Sequence, residues 1–323
     1  MSSIYMPPVK KILTVPEMLA QVDYRRLADP AQYTPTFFAW QFVNFIKKVN
    51  GEEGEENSTP LFHYAVLDSI GRREPRIANL IFRGSGKTTV IGEYSPFFIA
   101  IHGVYHANHP LFFGLYVTDS IDNGVKSMRN NLEARYDKSP YLQKVLDIDL
   151  TLQRWVFINK LTRQKFIMKG YGVLTGVRGT KEQNKRPDFA IFDDVMKDTD
   201  ALSDANMTKI EDTLFKAVPY ALRPDKNFII WNGTPFNQND PLYRAVESGA
   251  WSANVYPIAN EFPCKKEDFV GAWEDRFSYE AINREYQHAL EQGKASDFMQ
   301  ELMLTIGNPE NRLISNNEIM WYN

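Results

Sequence analysis

The sequence predicts an α/β layer structure with a largely parallel sheet. Three observations predict it. Short apolar strands recur at 77–82, 111–117, 189–192 and 227–231; segments with helical spacing of apolar residues lie between them; and a glycine-rich turn joins the first strand to a helix start. The 323 residues suffice for one large domain or two small ones, and 43% hydrophobic with 24% charged residues is a globular profile, not a disordered or fibrous one. Cys264 is the single cysteine, so no intrachain disulfide forms and a reducing compartment is expected. No apolar run approaches the roughly 18 residues of a membrane span, and the N-terminus lacks the pattern of a secretory signal. A cytosolic protein with no membrane partner is expected. The net charge of −3 argues against an autonomous tight DNA binder, because phosphate neutralisation needs a basic excess. It leaves room for transient binding through a local basic patch.

Residues 1–60 read as a helical lead-in and an acidic linker. After a breaker at 31–35, Phe38, Phe42, Phe45, Ile46 and Val49 share one helical face. Residues 51–60 are polar, acidic and glycine-containing, as in a loop. Phe62, Val66 and Ile70 then mark a helix over 61–71. The core, 61–258, begins there. Strand 77–82 leads into a helix from Gly86 to about Tyr94. Strand 111–117 follows, and Ser120 is placed to cap a helix carrying Ile121, Val125, Met128 and Leu132. Residues 155–158 and 165–168 flank a polar turn, as in a hairpin inserted into the alternation. A helical pattern at 205–217 separates the last two strands. Residues 259–323 read as a mostly helical subdomain. There is no internal repeat.

The chemistry concentrates at three strand ends. Arg83-Gly84-Ser85-Gly86-Lys87-Thr88-Thr89 lies between strand and helix, the context that makes a phosphate-binding P-loop credible. Gly84 and Gly86 let backbone N–H groups approach phosphate oxygens, Lys87 reaches the β- and γ-phosphates, and Thr88 offers a hydroxyl to Mg²⁺. The usual pattern has a glycine where Ile81 stands. Arg83 sits within the loop, beside the expected γ-phosphate, as a sensor or charge stabiliser. Pro187 to Asp194 is an apolar strand ending in two carboxylates. Asp193 is placed to hold Mg²⁺ and Asp194 to orient or deprotonate the attacking water. The plainer alternative makes both acids caps of a helix near Lys197. Aspartate at the second position reaches about 1.5 Å less far than the usual glutamate.

Asn227 to Pro235 is a strand ending in Asn232-Gly233-Thr234. Parallel strands present their C-terminal ends to a ligand, so Asn232 and Thr234 are candidates to contact the γ-phosphate or water. Gly176-Val-Arg178-Gly179 opens a basic loop. Arg178 is a candidate arginine finger for a neighbouring subunit, with Arg129 and Arg135 as weaker ones; Lys181, Lys185 and Arg186 are candidates for DNA phosphates. His63, His102, His106, His109 and His288 show no metal-ligand spacing.

Taken together, the loop with Arg83 and GSGKTT, the Gly-Val-Arg-Gly stretch, RPDFAIFDD and Asn-Gly-Thr resemble the ATPase domain of the large terminase subunit, the DNA-packaging motor of tailed bacteriophages. The likeness runs from about His63 onward. Phe298-Met-Gln-Glu-Leu with Asn308-Pro309 looks like that family's stretch joining ATPase to nuclease. The resemblance implies a P-loop NTPase fold of the ASCE type, with ATP and Mg²⁺ as cofactors. It implies translocation of double-stranded DNA into a procapsid, in the cytoplasm of an infected cell, by a homo-oligomeric ring docked on the portal protein and supplied by the small terminase subunit; the state in solution, monomer included, is left open. By position, Lys87 and Thr88 bind phosphate and Mg²⁺, Asp193 holds metal, Asp194 takes the catalytic acid's place, Arg178 is the trans-acting finger, and Asn232 to Thr234 form the coupling motif. An adenine-contacting glutamine is expected upstream, with Gln41 as candidate. The family's nuclease would begin where this chain stops, so no nuclease activity is expected of it. The alternatives are a helicase-like nucleic-acid ATPase and a non-enzymatic nucleotide-gated scaffold.

Overall fold

The computed structural model describes residues 12–51, 54, 57–105, 110–196, 204–225 and 227–306. Lys197, His106, His109, Asn308 and Pro309 lie outside the described residues. Three helices lead in: α1 (Val15–Leu19), closed by a Thr14–Glu17 capping box, α2 (Tyr24–Ala28), and α3 (Phe37–Asn50), capped by Thr36. The α3 face read from the sequence is buried at Phe42, Phe45, Ile46 and Val49, while Phe38 is half-buried and packs against it. Next come α4 (Leu61–Gly71) and β1 (Arg76–Ile81).

After β1 the chain enters a π-helical segment, Thr88–Glu93, that runs on into α5 (Tyr94–His102). The helix expected to stop near Tyr94 thus continues eight residues further. Pro96 lies inside this continuous helix, three residues past the end of the π-helical segment. Then follow β2 (Phe113–Thr118), a π-helical turn (Ile121–Val125), α6 (Lys126–Lys138) and α7 (Pro140–Val145). Ser120 does not cap this helix with its side chain. Asp119 holds the turn instead, accepting from the backbone N–H of Gly124 at 3.1 Å and from Asn123 at 2.9 Å.

The expected hairpin is present as β4 (Arg154–Asn159) and β5 (Lys165–Gly172), preceded by β3 (Leu146–Leu150), which pairs antiparallel with β4. The remaining elements are β6 (Phe189–Asp193), α8 (Asp204–Asp212) with a π-helical continuation to α9 (Val218–Ala221), β7 (Phe228–Gly233), α10 (Pro241–Glu247), β8 (Ser252–Tyr256), α11 (Tyr279–Glu291) and α12 (Ala295–Met303).

The eight strands form one sheet in the order β3-β4-β5-β2-β6-β7-β1-β8. It is parallel from β5 through β8, with β3 and β4 as an antiparallel extension. Alternate residues face opposite layers, so each strand serves two cores. One face carries Ile77, Ile81, Tyr116, Ile191 and Ile230 under α3, α4 and α5, together with Ile282 and Phe298 of the C-terminal helices. The other carries Leu80, Leu115, Phe192 and Trp231 under α1, α8 and α10. No helix among the described residues is long and apolar enough to cross a membrane.

Candidate nucleotide site

Residues from three neighbouring strand ends meet at one point. The sheet order sets β6, β7 and β1 side by side, and the parallel register places Asp193 opposite Asn232. After β1 the loop turns on Gly84 and Gly86, both with left-handed φ, +82° and +78°. The backbone conformation at Gly84 favours glycine, and a Cβ there would also press on the Phe277 ring at 3.2 Å.

Lys87, only 7% exposed, donates from Nζ to the Thr234 hydroxyl at 3.0 Å and lies 3.9 Å from the Asp194 carboxylate. Thr234 in turn donates to the Ile81 carbonyl at 2.8 Å, tying β7's end to β1. The Thr88 hydroxyl donates to Asp193 Oδ1 at 3.1 Å, the Tyr116 phenol to Oδ2 at 2.7 Å, and the Asn232 amide to Oδ1 at 3.4 Å. Burial, and next the nearby Asp194 charge, push the Asp193 carboxyl up to about 7. Asp194 itself is half-exposed and takes a left-handed φ of +40°, an uncommon conformation for a non-glycine residue that turns its carboxylate away from the strand line. Asp193 and the Thr88 hydroxyl offer adjacent hard oxygen donors, a set that fits a divalent cation of the Mg²⁺ class. The Ser85 hydroxyl in the loop is buried without a partner. Arg83, Lys87, Asp194, Asn232 and Thr234 line a cleft of about 490 Å³ here.

The arginines are placed differently. Arg83 lines this cleft, but its exposed guanidinium pairs with Glu301 of α12 at 3.4 Å, and its backbone N–H donates to the Glu301 carbonyl at 2.9 Å. Arg178 is not brought to the chain's own site. The loop carrying it is anchored by the buried Val173 and Val177 on the opposite sheet face, and Arg178 lines a separate groove of about 310 Å³ with Lys181, Arg186, Lys216 and Tyr220. Arg129 and Arg135 are held within the chain. Arg129 forks onto Glu133, and Arg135 grips Glu93 at 2.6 Å while lying over the Tyr94 ring.

A second cavity, of about 360 Å³, opens beside Gly86 and Thr89. His63 of α4, Tyr94, Trp273 and Arg276 contribute to its walls. The His63 ring donates from Nε2 to the Ser85 carbonyl at 2.6 Å, which ties α4 to the loop; burial pushes its pKa down to about 4, so it is neutral at pH 7. Trp273 meets His63 edge-on at 5.3 Å, has its indole N–H buried without a partner, and carries the Arg276 guanidinium 5.2 Å above its ring. Gln41 is exposed on α3 and does not line this cavity. Tyr116 and Trp273 carry no motif in the sequence, and His63 is singled out there only as a histidine without metal-ligand spacing. Asn79 did leave a signal: an asparagine interrupts an otherwise apolar strand.

No protein-family model matches the chain, and no curated protein matches it in sequence. Solved structures do match in fold. A mutant ATPase domain of the Thermus phage P74-26 large terminase is 12% identical, with a TM-score of 0.50, the match covering 75% of this chain and 93% of that one. The HK97 bacteriophage large terminase is 14% identical with a TM-score of 0.54, covering 82% of this chain and 54% of that one. The chain spans about half the length of the HK97 protein. The likeness establishes the fold: a mixed α/β P-loop NTPase architecture of the kind found in terminase ATPase domains.

Proposed function

We propose that the chain is an ATP-hydrolysing motor of the terminase type, which moves double-stranded DNA into a procapsid. One observation carries the reading: residues from three strand ends form two hydrogen-bonded groups behind one glycine turn, Lys87 with Thr234 and Thr88 with Asp193 and Asn232. Structural packing alone gives no reason to bury a lysine and an aspartate beside two hydroxyls and an amide. In this reading the loop's N–H groups and Lys87 take the β- and γ-phosphates, and Thr234 releases Lys87 to them. Thr88 and Asp193 would hold Mg²⁺, which when bound neutralises phosphate charge. Asp194, at the cleft's open lip, orients the attacking water. The adenine enters the cavity beside Gly86, against Trp273. Arg83, turned to α12, senses the γ-phosphate only after letting go of Glu301.

Arg178 serves the neighbouring subunit's site within a homo-oligomeric ring, and the basic groove around it faces phosphate-bearing partners. Portal protein and small terminase subunit are the expected protein partners, in the host cytoplasm. The test is ATP turnover with Mg²⁺ against protein concentration, with and without linear double-stranded DNA, and with Lys87→Ala as blank. Turnover per subunit that rises with concentration and disappears in the blank supports the motor reading. Turnover that is equal in the blank overturns it, and Lys87-dependent nucleotide binding without turnover points to a nucleotide-gated scaffold.

A further inference from the structure

Four polar side chains stand in one row across the sheet, on the face covered by α4. The parallel registers set Asp193 of β6 opposite Asn232 of β7, Asn232 opposite Asn79 of β1, and Asn79 opposite Asn254 of β8. All are buried, Asn79 and Asn232 completely. Adjacent strands lie about 4.8 Å apart, so the row spans roughly 14 Å. Each member bonds the next. Asn254 Nδ2 donates to Asn79 Oδ1 at 2.7 Å, Asn79 Nδ2 to Asn232 Oδ1 at 2.8 Å, and Asn232 Nδ2 to Asp193 Oδ1 at 3.4 Å. Behind Asn254 the row continues into α4, where the Ser69 hydroxyl donates to Asn254 Oδ1 at 3.1 Å and accepts from the Arg72 guanidinium at 3.3 Å.

Every donor in this row points toward Asp193. An amide's oxygen and nitrogen are alike in shape, so its direction has to come from chemistry at the ends. Here both ends dictate the same direction. The ionised Asp193 carboxylate, the form that serves a cation, only accepts, so Asn232 then presents its N–H₂ to it; its oxygen faces Asn79, which must do the same in turn. A guanidinium only donates, so Ser69 must accept from Arg72 and pass its own proton to Asn254. A chain of amides aligned between a cation and an anion is polarised along its length, and each bond strengthens the next.

We propose that Asn79 and Asn254 are positioning residues for the nucleotide site, holding the Asn232 amide with its N–H₂ toward Asp193 and so fixing the carboxylate that serves the cation. This deepens the function proposed above and rests on it for the role of Asp193. It assigns work at the site to two strands, β1 and β8, whose residues here touch neither phosphate nor cation.

The polarity gives a test that separates positioning from packing. Asn254→Asp keeps size and shape but presents only acceptors, with Arg72 close by to favour its charged form. Asn79 must then turn its N–H₂ toward position 254 and Asn232 must follow, which sets a carbonyl oxygen against Asp193. Asn254→Leu merely ends the row, leaving Asn79 and Asn232 directed by Asp193. Packing alone ranks leucine as the more damaging change; the ladder ranks aspartate so. The full chain is compared with both variants in two measurements. One is Mn²⁺ affinity in the presence of a non-hydrolysable ATP analogue. The other is the side-chain amide resonance of Asn232 in the nucleotide-free protein, with melting temperature recorded alongside. The expected result is at least a tenfold loss of Mn²⁺ affinity and a displaced Asn232 resonance in Asn254→Asp, against about twofold or less and a near-native resonance in Asn254→Leu. An unmoved resonance with wild-type Mn²⁺ affinity in Asn254→Asp overturns the proposal, as does a larger loss in Asn254→Leu. If the wild-type chain takes up no Mn²⁺ with nucleotide, the functional reading falls, and the Asn232 resonance alone decides the ladder.

Discussion

The two ends of the candidate site are built in different ways. The end proposed for the phosphates draws its groups from strand ends that backbone pairing fixes and from the turns directly after them: Asp193 on β6, Asn232 on β7, Lys87 and Thr88 after β1, and Thr234 one residue past β7. The end proposed for the base draws His63 from α4, Tyr94 from α5, and Trp273 and Arg276 from the segment before α11, joined by ring contacts and tied to the loop by the His63–Ser85 hydrogen bond. A sheet carries a motif's geometry in its register, so short sequence signatures suffice there. A cavity walled by helices and loops has no such register, and each wall can change independently. The phosphate end is therefore expected to tolerate no substitution, and the base end to give graded losses.

Lys87→Ala breaks the comparison at its strongest point. It removes the cation that the β- and γ-phosphates need and should lower ATP turnover by at least about a thousandfold, to background in a coupled phosphate-release assay. Arg178→Ala should cost a similar factor, but only under conditions in which subunits assemble. At dilutions where turnover per subunit no longer depends on concentration, it should match wild type. Equal loss at all dilutions would place Arg178 in its own chain's site.

At the base end, Trp273→Ala removes one aromatic wall. Stacking of a base on an aromatic ring is worth about 1–3 kcal/mol, so KM for ATP should rise by a factor between about 5 and about 150 while kcat stays within a factor of about three. A fall in kcat with unchanged KM would show that Trp273 supports the loop, not the base. The last effect is on stability and concerns His63. Its ordinary pKa is near 6.5, and the folded value is about 4. Between those values the unfolded chain binds a proton that the native chain does not. The stability is therefore full above about pH 6.5 and falls as the pH drops to 4, by about 3 kcal/mol from this group. His63→Gln should flatten the fall of melting temperature over that window, and an unchanged slope would contradict the assignment.

The same contrast explains what the sequence disclosed. The strand with Asp193 and Asp194 and the strand ending at Asn232 were legible because four consecutive apolar residues followed by a polar end identify a buried parallel strand. The outer strands were not. In β3, Leu146, Ile148 and Leu150 alternate with Asp147 and Asp149, a half-exposed edge that follows directly on α7 and merges with it on the page. In β8 the strand carries Ser252 and Asn254 and has no apolar run to mark it. The local caps were only partly legible: Asp119, not Ser120, holds the turn before α6, because a carboxylate one residue earlier reaches more N–H groups. Arg83 showed its place in the loop but not its partner, since Glu301 lies 218 residues away.

Loop and cavity are proposed as the two ends of one nucleotide site. The most direct test is binding of inorganic tripolyphosphate, adenosine and ATP to the wild-type chain, Lys87→Ala and Trp273→Ala, followed by NMR titration. A crossed pattern is expected. Lys87→Ala loses tripolyphosphate and keeps adenosine, Trp273→Ala loses adenosine and keeps tripolyphosphate, and ATP is weakened by both. Adenosine and ATP binding that is unaffected by Trp273→Ala, or tripolyphosphate binding that is unaffected by Lys87→Ala, would contradict it.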